Sequence, residues 1–274
     1  LDATCGGYEQ QLVALPRPER PYLQEARSAP GRLRIGFSFD PGLGRELHAE
    51  NRRALEATTA KLYELGHEIV EVQLPLQRDA FVEGYATLIA AEVAGTLRLA
   101  RDMLGLEPRG DDLELATWVL ARMGEAQSGG ETTAALAMMQ TFARQWLGWS
   151  SAVDVLLTPS VGVPPLPIGA YQLPAAQRAA LKTLLALPGA VLMSQRDRVL
   201  EAYEPVFAAA PYTMIANVTG QPSLTLPLHW TTDGLPMGML FTARIGDEAT
   251  LFRLAGQLEQ ALPWWDRIAP NAIP

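Results

Sequence analysis

Cysteine is almost missing from these 274 residues: Cys5 is the only one. A single cysteine excludes an intrachain disulfide and a cysteine-rich zinc site. No base lies near it in sequence, so Cys5 reads as a free thiol in a reducing, cytoplasmic compartment. Histidine is scarce as well. His48, His67 and His229 lack metal-ligand spacing, so no metal and no cofactor is expected. Lysine occurs only as Lys61 and Lys182, and the net charge is −8 with no basic run. That balance argues against a nucleic-acid partner, which needs clustered positive charge. No uncharged apolar stretch reaches the roughly 18 residues of a membrane span, and no membrane association is expected. The first residues, Leu1 to Thr4, carry no secretion signal and read as the end of a helix that begins elsewhere.

What is present is ordinary for a globular chain. Apolar residues make up 48%, and 274 residues are long enough for one large domain or two small ones. Residues 7–31 read as an extended connector. Arg32 to Phe39 alternates apolar and polar and predicts a strand. The Asp40-Pro41-Gly42-Leu43-Gly44 loop lacks a full phosphate-binding fingerprint and reads as a turn. Leu55, Thr58, Leu62 and Leu65 share one helical face over residues 48–65, and Gly66 sits where a left-handed C-cap belongs. His67 to Pro75 predicts a second strand. Strand, helix and strand in so short a span form a βαβ unit with parallel pairing.

Residues 78–150 predict helices, with Ser128 and Glu131 at capping-box spacing and Trp146 and Trp149 as core. Val153 to Pro159 predicts a short apolar strand and Ser160 to Gly169 a proline-rich loop. A helix-rich stretch reaches about residue 207. Pro211 to Asn217 then connects to a strand at Ser223 to Pro227. Thr232-Asp233-Gly234 is a turn, and Gly238 to Arg244 returns as the partner strand. Asp247 caps a last helix over residues 248–261, with Leu251, Leu254, Ala255 and Leu258 on its apolar face. The fold class is α/β: a mixed sheet flanked by helices, with a helical insertion.

Four motifs in sequence carry a resemblance. They are Asp154 to Ser160, Pro211 to Pro227, Asp233 to Gly238, and Gly246 to Leu251. Together they resemble the C-terminal motifs of the amidase signature family, in the manner of the bacterial amidases related to 6-aminohexanoate cyclic dimer hydrolase. Gly31 to Pro75 is similar to that family's strand, helix, strand unit. The resemblance implies that residues 1–274 form a single partial domain, the C-terminal part of an amide-bond hydrolase. It also implies a Ser-Ser-Lys mechanism on an upstream glycine- and serine-rich segment. No Gly-Gly-Ser-Ser-Gly-Gly run occurs here, and both lysines read as solvated helix residues, so no catalytic residue is assigned and the chain alone is expected to be inactive. Ser128, Ser150, Ser151 and Ser194 have no lysine or histidine near them in sequence, and Ser223 and His229 are too far apart along one strand to bond.

Loops beside strands at a sheet's active edge tend to shape pockets. Thr158, Ser160, Val161, Tyr212, Thr213 and Asn217 are therefore the candidate substrate-binding residues. Turns that merely close the sheet are the competing reading, and Asn217 could simply bond the Gly220-Gln221-Pro222 turn. The implied partners are a small-molecule amide substrate, an N-terminal half of the same amidase and, as a further option, a second copy of the chain. A non-catalytic interaction protein and the amidase subunit of a tRNA-dependent amidotransferase stand as alternatives.

Overall fold

The computed structural model describes residue 2 and residues 18–109, 112–170, 172–185, 197, 200–201 and 203–270. Cys5, the connector before Pro18, Ser194 and the helical reading of residues 186–196 lie outside the described residues. Two compact units are present. One comprises residues 1–75, 144–166 and 208–274, the other residues 76–143 and 167–207.

The first unit is built on a five-stranded sheet of order β2-β1-β3-β5-β4. Its strands are β1 (Arg34–Phe37), β2 (Glu68–Glu71), β3 (Val155–Pro159), β4 (Ser223–Trp230) and β5 (Pro236–Ala243). β1 runs parallel to β2 and β3, while β5 is antiparallel to β3 and β4. The βαβ expectation thus holds: α2 (Ala49–Glu64) links β1 to β2. The His48 side chain caps α2 by accepting from the Glu50 N–H, and Gly66 takes the positive φ that ends it. Strand alternation sends Ile35, Val155, Leu157, Met239 and Phe241 into one core. Leu55 and Leu62 of α2 meet Leu251, Leu254 and Leu258 of α9 (Glu248–Ala261) there. Each fully buried leucine contributes about 1.5–3 kcal/mol through lost water contact.

Asp247 caps α9 as the sequence suggests, accepting from the Thr250 N–H at 3.3 Å. The single-turn α1 (Tyr22–Glu25) is tied to α9 by charge. The Glu25 carboxylate, 2% exposed, accepts from Arg20 and from Arg253. The Arg253 hydrogen bond holds the Glu25 pKa below the usual carboxylate range, against the opposing effect of burial.

The second unit contains α3 (Arg78–Leu104), α4 (Leu115–Ala126), the first part of α5 (Gly129–Ser150), α6 (Ala175–Leu185) and most of α7 (Glu204–Ala209). Ala90, Val119 and Met123 form its small core, with Leu120, Leu181, Leu185 and Tyr203 against them. The capping box is made in full: Ser128 Oγ accepts from the Glu131 N–H, and the Glu131 carboxylate accepts from the Ser128 N–H. By length and composition alone α3 could cross a bilayer, which the charge-based reading of the sequence did not foresee. Glu83 and Glu92 interrupt its apolar run, and its residues Phe81, Val82, Gly84, Thr87 and Ala90 are buried in the fold.

Two local expectations need correction. The segment before Gly220 is not an open connector: Thr213–Thr219 is a helix, α8, ended by Gly220 in a left-handed conformation. And β4 does not stop at Pro227 but continues to Trp230, with a register shift against β5 between Leu226 and His229. An edge strand tolerates proline, because one side of its backbone needs no ladder partner.

Candidate functional site

The face of the sheet opposite the leucine-rich core carries different chemistry. The register places Leu156 beside Thr242 and Thr158 beside Leu240 on β3 and β5, and Ser223 beside Thr242 and Thr225 beside Leu240 on β4 and β5. Hydroxyls dominate this face. Ser223 and Thr242 share a hydrogen bond of 2.9 Å, and Ser160 Oγ donates to Thr225 Oγ1 at 3.1 Å. The latter pair closes over Gly238 of β5. A Cβ there would stand 2.4 Å from Thr225 Cγ2 and 2.8 Å from Ser160 Oγ, so only glycine fits without movement.

A small cavity lies on this face under α8. Its enclosed volume is about 10 Å³, and about 280 Å³ when the crevices and open solvent around it are counted. Leu156, Leu240, Ile215 and Ala216 supply apolar walls, and Trp146, Thr158, Tyr212, Gln221 and Thr242 supply rings and polar groups. The polar lining is held in place. Trp146 Nε1 donates to Gln221 Oε1 at 3.0 Å, and Gln221 Nε2 donates to the Ala243 carbonyl at 2.9 Å. Tyr212 donates its hydroxyl to the Asp40 carbonyl at 2.6 Å. Burial raises the pKa of this phenol far above its ordinary value, and the Asp40 charge adds to the effect, so it stays a neutral donor.

Of the six residues singled out in the sequence, Thr158 and Tyr212 meet in this cavity. Ser160 is next to it in sequence but turns its buried hydroxyl to Thr225. Val161 is exposed, and its carbonyl accepts from Asn51. Thr213 is half-buried at the start of α8, and Asn217 is exposed on the same helix. Trp146 and Gln221 escaped the sequence reading as lining residues. The tryptophan is buried, as expected of a core residue, yet it also faces a space. Gln221 looked like part of a turn, and nothing local shows that its amide reaches Trp146, 75 residues away.

Nucleophile chemistry has little to work with among the described residues. Ser150 and Ser151 donate to backbone carbonyls of their own helix. Ser128 is spent on its capping box, and Lys61 pairs with Glu64 at 2.6 Å. His229 Nε2 lies 2.9 Å from the Glu50 carboxylate. That hydrogen bond is the main cause of a Glu50 pKa below the ordinary carboxylate value. Among the described residues no cluster of three or more His, Cys, Asp or Glu side chains could hold a metal ion. On its own the cavity has room for little more than a water molecule. The arrangement shows no serine paired with a base.

Comparison with known proteins fits this picture. Residues 1–196 match the family described as Amidase. The chain is 27% identical to 6-aminohexanoate-cyclic-dimer hydrolase of Paenarthrobacter ureafaciens, over 96% of this chain and 51% of that protein. It is 26% identical to a lipoamidase of Enterococcus faecalis, over 82% of this chain and 31% of that one. A solved structure of 6-aminohexanoate cyclic dimer hydrolase complexed with substrate superposes with a TM-score of 0.77 at 26% identity, covering 97% of this chain and 52% of the other. The chain therefore spans about half the length, or less, of these relatives. On the family match, the order of its motifs and the shared mixed-sheet fold, the chain belongs to the amidase signature family.

Proposed function

We propose that this chain is the substrate-pocket-forming part of an amide-bond hydrolase whose Ser-Ser-Lys machinery lies outside it. The observation that carries the reading is the cavity itself. It gathers Thr158 and Tyr212 from two of the family motifs beside one hydroxyl-lined sheet face, where the Ser160 and Ser223 hydroxyls bond to threonines. A neutral serine is a poor nucleophile without a base in hydrogen-bond reach, and amide cleavage further needs donors aimed at the developing oxyanion. Both requirements fall to residues on the half of the relatives' length that this chain does not match. The natural partner is that N-terminal half, and the substrate is a small amide with an apolar or linear aliphatic acyl group. The leucine, isoleucine and alanine walls support that class, as does the likeness to a 6-aminohexanoate-cyclic-dimer hydrolase and a lipoamidase.

Assaying the purified chain on aryl amides and short aliphatic amides, alone and co-expressed with the N-terminal half of a relative, tests the proposal. No turnover alone and serine-dependent turnover after complementation is the expected result. Serine-dependent hydrolysis by the chain alone would overturn it.

A further inference from the structure

Asn51 is fully buried in the first turn of α2, at 0% exposure. Its amide nitrogen donates to two successive carbonyls, Val161 O at 2.9 Å and Gly162 O at 2.8 Å. Those two bonds fix the amide's orientation, since the flipped form would press oxygen against oxygen. In that orientation Oδ1 is buried without a hydrogen-bond partner among the described residues. A buried acceptor left unpaired costs about 1–3 kcal/mol, and a leucine of similar size would not incur it. Packing therefore does not account for an asparagine here. What the asparagine supplies is a pair of donors for the two carbonyls of Val161 and Gly162, just past the end of β3.

That segment is held on three sides. The Ser160 N–H donates to the Gly238 carbonyl, and the Gly162 N–H donates to the Ala209 carbonyl at 3.0 Å. Gly162 passes so close to the 208–209 backbone that a Cβ would fall 1.8 Å from the Ala208 carbonyl oxygen. Asn51 provides the third hold, beside the Ser160 hydroxyl's own bond to Thr225, and it alone reaches the Val161 and Gly162 carbonyls among the bonds named. Without it the Val161 and Gly162 carbonyls lose their donor, and the Ser160 and Gly162 N–H bonds, left to hold the backbone, open more often.

We infer that Asn51 is the positioning residue of the Ser160–Gly162 segment and so sets the path of the chain as it leaves β3 beside the Thr158 wall of the cavity; the inference rests on the reading of that cavity given above. Hydrogen exchange on Asn51→Leu, Asn51→Gln and, as a stability control, Leu62→Ala tests the placement without any assay of activity. In Asn51→Leu, exchange at the Ser160 and Gly162 amides should rise about tenfold or more relative to β1 amides, the scale of losing one to two net hydrogen bonds. Asn51→Gln, which keeps a donor amide, should recover part of that protection, and Leu62→Ala should show no selective rise. Uniform or absent change in Asn51→Leu would overturn the inference. If Asn51→Leu does not fold, a selective rise in Asn51→Gln decides in favour and its absence against. In the complemented enzyme, Asn51→Leu should raise KM severalfold with kcat little changed. A selective exchange rise with unchanged KM and substrate profile would leave Asn51 as positioner and remove the pocket reading instead.

Discussion

Gly238 shows how much a single missing side chain can organise. Alternation along β5 puts Leu240 and Thr242 on its own face, so residue 238 belongs on the hydroxyl-lined face too. Ser160 and Thr225 bond to each other across the space a side chain would fill. Gly238→Ala should therefore destabilise the fold by about 1–3 kcal/mol, the usual cost of overpacking. Thr225→Ser removes the methyl that a new Cβ would strike first. A double-mutant cycle on thermal unfolding should then show the pair losing less than the sum of the single variants; strict additivity would separate the two positions. None of this was visible in the sequence. Gly238 lies in a motif that reads as a strand, and periodicity reports which face a residue occupies, not which neighbours on other strands share it.

Elements were more legible than contacts. α2, α9 and the β4–β5 hairpin carry both a period and a terminator, and they stand within a residue or a few of where the pattern puts them. α8 was missed because seven residues, with a β-branched Thr213, Ile215 and Val218 among them, give a helix little local signature. The short α1 was equally invisible, yet it makes the tie to α9 through Glu25. The sign of its pH dependence follows from the lowered pKa. A carboxyl held below its unfolded value stabilises the fold above the ordinary carboxylate range, and that contribution is lost as pH falls through the folded value. Glu25→Gln should be less stable than the parent at neutral pH and converge with it in acid. Urea midpoints measured across that range check this; parallel curves would mean that the carboxylate's charge is not what joins α1 to α9.

At the scale of the whole molecule, the fold class was legible because patterning alone separates strands from helices, and the family resemblance was legible because four motifs occur in order. The division into two compact units was not, since no composition change marks residues 76 or 167. Several surfaces leave apolar side chains or strand edges open among the described residues. Leu99, Met103 and Leu104 are exposed towards the end of α3, and β2 and β4 are edge strands of the sheet. Exposed apolar patches and open strand edges favour association. The isolated chain should self-associate or bind a hydrophobic dye, and both signals should fall on co-expression with the N-terminal half of a relative. A monodisperse, dye-silent monomer would contradict this.

The position of β3 bears on the time course of folding. β1, α2 and β2 are neighbours in sequence, and so are β4 and β5. β3 must join these two local pieces, and it does so across a long gap: the Arg34 N–H bonds the Asp154 carboxylate 120 residues away. Closing such a loop lengthens the search, and non-local pairing of this kind slows folding. The βαβ unit and the hairpin should gain amide protection early in pulse-labelled refolding, and β3 last; simultaneous protection of all five strands would refute that order. Because Leu156 and Thr158 ride on β3, the cavity would then be a late product of folding, absent from every intermediate that precedes the closing of the sheet.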